Sequence, residues 1–141
     1  MDRRNFLKGT CKACLLSAAA FSMADLLDAC GTTMKGFKTM VNNNQVAVPL
    51  TLFATSDLQI ISPRNYDYEI AVRKNADSTY TALLMRCTHQ ANQLIPTGNG
   101  FVCSLHGSQF DKNGEVKKGP AEKHLQHLAT TINDTNLIIH I

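Results

Sequence analysis

Two short clusters constrain this chain more than anything else in it: Cys87-Thr88-His89, and Cys103-Ser104-Leu105-His106-Gly107-Ser108, with thirteen residues between His89 and Cys103. Each sets one sulfur donor beside one imidazole, two residues apart in the first cluster and three in the second. Each cysteine–histidine pair must sit at a loop tip if both side chains are to meet one group from the same side. The fold therefore has to aim two loop tips at a common point. Glycine accepts backbone dihedrals that other residues resist, so Gly107, directly after His106, suits a tight loop there.

Two thiolates and two neutral imidazoles can hold a single zinc ion or a two-iron cluster. Finger-type zinc modules with two cysteines and two histidines run Cys-Cys and then His-His. Here the types alternate. Alternation fits a Rieske-type 2Fe–2S centre, in which two thiolates bind one iron and two imidazoles the other. Imidazoles in place of two thiolates remove negative charge from one iron. The reduced state is then easier to reach, and potentials rise to roughly −150 to +300 mV. A zinc-stabilised binding module stays as an alternative.

Residues 87 to 121 resemble the cluster-binding subdomain of the Rieske family: CTH, then CSLHGSQFD, then Lys118-Gly119-Pro120-Ala121, the last similar to the family's proline loop. The resemblance implies that Cys87 and Cys103 bind the inner iron and His89 and His106 the outer one. It also implies that the Ser108 hydroxyl donates a hydrogen bond to a bridging sulfide, which raises the potential. Quinol-oxidising members carry a disulfide between the two ligand loops. The matching positions here hold Asn92 and Leu105, so that bridge cannot form. Phe110 stands where high-potential members have a tyrosine that hydrogen-bonds a ligand sulfur. The expected potential is intermediate, below the quinol-oxidising type and above the bacterial oxygenase ferredoxins.

The N-terminal stretch Asp2-Arg3-Arg4-Asn5-Phe6-Leu7-Lys8 resembles a twin-arginine export signal. Ala13 to Leu27 is mildly apolar, and shorter and more polar than the ~20 residues that cross a bilayer as a helix. Leu27-Asp28-Ala29-Cys30-Gly31 resembles a lipobox, so residues 1–30 read as a signal or anchor with Cys30 as a lipidation site. A route for folded cargo suits a cluster protein, because a metal site contributes folding free energy only when its metal is bound. These features predict a periplasmic or outer-face location with a membrane tether, through Cys30 lipid or an uncleaved signal. Cys11 and Cys14 fall within the same segment and read as incidental.

Residues 31–45, with Gly-Thr-Thr, lysines and Asn42-Asn43-Asn44, read as a linker. As flexible coil it would span on the order of 20 Å. From residue 46 the pattern is β: Val46 to Phe53, Asp57 to Ser62, Tyr66 to Arg73, Thr79 to Arg86, Gly100 to Ser104, and a hairpin of Leu125–Ile132 with Asn136–Ile141. Alternation of Tyr68, Ile70 and Val72 with Glu69, Ala71 and Arg73 marks a half-buried strand. The expected fold is all-β. It is a small antiparallel β-sandwich over residues 46–141, with a cluster-binding subdomain inserted at about 86–121. The chain's 141 residues suffice for one such domain.

Net charge is +3, and the first thirty residues, with four basic and three acidic side chains, leave +2 to the rest, which is no nucleic-acid signature. Lys112, Lys117, Lys118 and Lys123 form either a solvated rim or a docking surface for an acidic electron partner. His124, His127 and His140 lie outside both clusters and read as surface or packing residues. The leading functional expectation is one-electron transfer in an exported relay or subunit. It has no substrate-converting site of its own. Its expected partner is a cytochrome, an exported oxidoreductase or a quinol. The ferredoxin component of an oxygenase system is the other cluster-based alternative.

Overall fold

The computed structural model describes residues 35–141. The signal reading of residues 1–30, including Cys30, lies outside the described residues, as does the first part of the expected linker. Among the described residues, no helix is long and apolar enough to cross a membrane.

Among the described residues, thirteen strands make three sheets. They are β1 (Phe37–Thr39), β2 (Val41–Asn42), β3 (Gln45–Pro49), β4 (Leu58–Pro63), β5 (Ile70–Lys74), β6 (Tyr80–Leu84) and β7 (Ile95–Thr97), followed by β8 (Gly100–Val102), β9 (Gln109–Asp111), β10 (Val116–Lys118), β11 (His127–Leu128), β12 (Thr130–Asn133) and β13 (Asn136–His140). The sheet orders are β1-β4-β5-β6-β11, β12-β13-β3-β2 and β10-β9-β8-β7. All pairs are antiparallel except β1 with β4. The all-β expectation holds.

The first two sheets close over one apolar core. Strand side chains alternate between faces. In β3 this turns Val46 and Val48 inward, and in β13 Leu137 and Ile139. They meet Ile61, Ile70, Val72, Ala82, Leu84 and Leu128. Full burial of each Val, Leu or Ile contributes about 1.5–3 kcal/mol.

The opposite face of β4, β5 and β6 is covered as well. Ile60, Ala71, Leu83 and Met85 pack against Leu94, Phe101, Phe110, Ala121, Leu125 and the two cysteines, Cys87 and Cys103. This corrects the half-buried reading of β5: Ile70, Ala71 and Val72 are all buried. The segment from residue 85 to 125 folds back over the face that alternation alone assigns to solvent. The inserted subdomain thus shares its floor with the sandwich.

Two further differences have local causes. The expected linker does not run free to residue 45, because Phe37–Thr39 pairs with Ile61–Pro63 and Val41–Asn42 with Gln45–Val46. Asn43 and Asn44 both take positive φ, 50° and 59°, which is the geometry of a two-residue hairpin turn. The strand expected to reach Phe53 ends at Pro49, and Leu50–Ala54 forms a 3-10 turn. That turn tucks Phe53 into the first core, edge-on to Tyr80 at 4.9 Å between ring centroids.

Candidate metal centre

Loop 1 leaves β6 and returns to β7. Its base is fastened by Leu94 N–H donating to Met85 O at 2.9 Å and by a bridge between Arg86 and Gln93. Loop 2 joins β8 to β9. The two tips are built alike. Cys87 N–H donates to Asn92 O and Ala91 N–H to Cys87 O, both at 2.8 Å. Cys103 N–H donates to Ser108 O at 2.8 Å and Gly107 N–H to Cys103 O at 3.0 Å. The fourth residue after each cysteine takes positive φ, 48° at Ala91 and 78° at Gly107. Glycine reaches that region without steric cost, whereas alanine adopts it against its preference. Tyr68 helps hold loop 1 there, donating its hydroxyl to Ala91 O at 2.8 Å, and the Arg86 guanidinium lies 5.5 Å from the Tyr68 ring centre.

This construction sorts the four donor side chains by environment. Cys87 and Cys103 are each only 2% exposed, floored by the second core. His89 and His106 are exposed, with ring centroids 5.0 Å apart and planes at 83°. Burial works to push the Cys103 thiol up. The N–H groups of Leu105 and His106, the Cys87 thiol and the Asn92 amide outweigh it, and the thiol sits below its ordinary value. An environment that favours sulfur as thiolate suits a metal ligand.

Residues 119–125 supply a third wall, tied to both loops. Ser108, buried at 1% exposure, accepts a hydrogen bond at its Oγ from Ala121 N–H at 3.0 Å. Thr88 Oγ1 donates to Lys123 O at 2.6 Å. Ala121 and Leu125 are buried while Pro120 is exposed. Beside His89, a cleft of about 310 Å³ opens between Arg86, Thr88 and Lys123. Lys117 lines a separate groove and pairs with Asp111 at 3.6 Å, so the lysines do not act as a single group. His124, His127 and His140 bond to Val116 N–H, Asn113 O and Thr131 Oγ1, in keeping with a packing role.

All five residues singled out in the sequence, Cys87, His89, Cys103, His106 and Ser108, come to the facing ends of loops 1 and 2 or to the wall beside them. Sequence reasoning missed Tyr68 and Thr88 as fasteners, and Asn92 as a donor. The Asn92 amide stands 3.7 Å from Cys103 Sγ. Tyr68 carries no local signal, since its partner lies 23 residues later. In the sequence Asn92 shows only as the residue at a position where quinol-oxidising members carry a cysteine. The donor set fits a binuclear iron–sulfur group: two thiols on an apolar floor and two imidazoles at the surface.

The chain belongs to the Rieske [2Fe-2S] domain family, whose sequence model matches residues 44–129. Its cofactor is accordingly a Rieske-type 2Fe–2S cluster, and the task of the matched domain is electron transfer. The large oxygenase component of the naphthalene 1,2-dioxygenase system of Pseudomonas fluorescens is 39% identical over 84 residues, which is 52% of this chain and 19% of that protein. The cytochrome b6-f complex iron-sulfur subunit of Prochlorococcus marinus is 38% identical over 56 residues, 38% of this chain and 31% of the subunit. The chain thus spans about a fifth of the dioxygenase components and about a third of that subunit. Among solved structures, the plasma membrane Rieske protein PetC3 of Synechocystis PCC 6803 shares the fold at a TM-score of 0.53 and 24% identity, covering 66% of this chain and 95% of that one. A chain from the complex of reduced oxygenase and oxidized ferredoxin in carbazole 1,9a-dioxygenase shares it at 0.50 and 17%, covering 70% and 94%.

Proposed function

We propose that Cys87 and Cys103 hold the inner iron and His89 and His106 the outer iron, and that the chain works as an exported, membrane-tethered one-electron relay or subunit. The observation that carries this reading is the division of the donors: sulfurs buried at 2% exposure, imidazoles at the surface five ångströms apart. When bound, the cluster supplies a reversible one-electron couple at a potential set partly by its imidazole ligands. The protein does the rest. The apolar floor of Leu94, Phe101 and Phe110 keeps water from the sulfurs. N–H donors around Cys103 offset negative charge there. His89 and His106 shorten the path from the cluster to a docked partner.

That partner is a cytochrome, an exported oxidoreductase or a quinol, and the docking face is mixed in character. Leu105, 53% exposed at the tip of loop 2, offers an apolar contact beside His106. Arg86 and Lys123 flank the cleft beside His89 and favour carboxylates on the other side. Phe110 is buried and cannot donate to a sulfur, which keeps the expected potential intermediate. Export and tethering rest on the twin-arginine-like start and the Leu27–Gly31 lipobox.

EPR of the dithionite-reduced protein tests the cluster: a Rieske signal with low average g is expected, and silence with bound zinc would refute it. Fractionation with lipid labelling, repeated on Cys30→Ala, tests the location. Label on the parent and none on the variant is the expected result. Unlabelled parent in the cytoplasm would instead favour a second reading, an electron carrier of an oxygenase system. The 39% identity to a dioxygenase component supports that alternative.

A further inference from the structure

Loops 1 and 2 follow one hydrogen-bonding scheme, so each residue of one has a counterpart in the other at the same distance from its cysteine. The fifth residue after Cys103 is Ser108, whose buried side chain reaches out of its own loop to Ala121 N–H. The fifth after Cys87 is Asn92, and its side chain also leaves its own loop, across to loop 2. Asn92 Nδ2 lies 3.7 Å from Cys103 Sγ and 3.1 Å from Gln93 O. The second contact fixes which end of the amide faces the sulfur. A carbonyl accepts only a donor, so the nitrogen must sit there and the flipped rotamer would set oxygen against oxygen. Its two N–H groups are then shared between the Gln93 carbonyl and the Cys103 sulfur.

We infer that Asn92 is a potential-tuning residue: its side-chain amide donates a hydrogen bond to the ligand sulfur of Cys103 from the opposite loop. The inference rests on the reading of Cys103 as a cluster ligand. Donation to a ligand sulfur stabilises the electron-rich reduced state more than the oxidised one, so it raises the reduction potential. The same contact links loop 1 to loop 2 where no covalent bridge joins them. Phe110, the buried aromatic of β9, has no donor to offer, so among the described side chains other than the Cys87 thiol Asn92 is the one hydrogen-bonded to that sulfur.

A bridging role alone would change stability and leave the potential unmoved, so the test reads both. The holoprotein and its Asn92→Ala and Asn92→Asp variants are titrated at one pH with EPR detection, and thermal unfolding is followed alongside. Asn92→Ala should shift the reduction equilibrium constant about three- to tenfold toward the oxidised form, where tenfold is 59 mV for one electron. Asn92→Asp, which replaces a donor by an acceptor with negative charge, should shift it further in the same direction. Potentials equal to the parent's in both variants, with only the unfolding temperature lowered, would overturn the inference while leaving the cluster assignment intact. Absence of a Rieske signal in the parent would remove both.

If the variants fail to load the cluster, the parent decides by itself. Protein labelled with ¹⁵N at asparagine side-chain amides should show a weak ¹⁵N coupling in pulsed EPR, distinct from the two imidazole couplings. No such coupling would refute the contact.

Discussion

Replacing Ser108 by alanine probes the junction between loop 2 and the third wall. The Ser108 hydroxyl accepts from Ala121 N–H at 3.0 Å inside a buried environment, so its removal strands that donor away from water. An unpaired buried N–H costs about 1–3 kcal/mol. At ~4–8 °C per kcal/mol for a domain near 100 residues, the unfolding temperature should fall by roughly 5–20 °C. The potential should fall too. Ser108 Oγ accepts from Ala121, and if its own hydrogen donates to a bridging sulfide, as the family resemblance implies, alanine would remove that donation. Thr88→Val provides the contrast. It removes the bond from loop 1 to Lys123 O and should cost about 1 kcal/mol with no change in potential. Both bonds fasten the segment 119–125, so the double variant should depart from additivity by at least about 0.5 kcal/mol. Circular dichroism melts of the holoproteins and EPR-monitored titrations supply the two readouts. An alanine variant that melts with the parent, or strictly additive losses, would show that residues 119–125 do not act as a shared wall.

Other expectations follow from single features. Ala91→Gly should stabilise the protein by about 0.5–1 kcal/mol and Gly107→Ala should destabilise it by about 1–2 kcal/mol, since both positions have positive φ; urea melts check the opposite signs. Burial works to raise the Asp111 carboxyl, but the Glu115 and Asn113 N–H groups and Lys117 hold it below the ordinary carboxylate value. A depressed folded pKa contributes stability that is present above the unfolded carboxylate pKa of about 3.9 and lost as pH falls through the folded value. Asp111→Asn should therefore flatten the acid limb of a stability–pH curve measured by urea unfolding, and an unchanged limb would contradict the assignment. Leu105→Ser should leave the melt within about 0.5 kcal/mol of the parent, as for an exposed site, yet slow electron transfer to the physiological acceptor in stopped-flow. Lys123→Glu should weaken or invert the salt dependence of the same rate.

Legibility in the sequence tracked how strictly chemistry dictates residue type. Cys87, His89, Cys103 and His106 stand out in the sequence because few side chains are suited to bind iron and their spacing leaves little freedom. Strands β3, β5, β6 and β13 were visible through β-branched and alternating residues. By contrast, β7, β9 and β10 have three residues each, too few to express a period. The polar stretch before residue 45 looked like a tether because β1 gains its place only through a parallel partner 24 residues later, a tertiary fact. The hairpin that follows β1 does carry a local cue: consecutive asparagines at 43 and 44 between Val41 and Val46, a turn signature flanked by apolar positions. The covering of Ala71 was not legible, since alternation describes one strand and is silent on what folds over it.

Because β4, β5 and β6 present apolar side chains to both hydrophobic clusters, the metal-bearing tip and the sandwich beneath it have no seam along which to flex. Close-packed interiors resist compression, and both cysteine-bearing loops are closed by their own backbone hydrogen bonds. An arriving charge therefore meets donors already in position, so the atoms around it need rearrange little between oxidation states. On the proposed reading, any reorientation toward a partner would carry residues 35–141 as one stiff body, with the exchange itself left to the two ring edges at its tip.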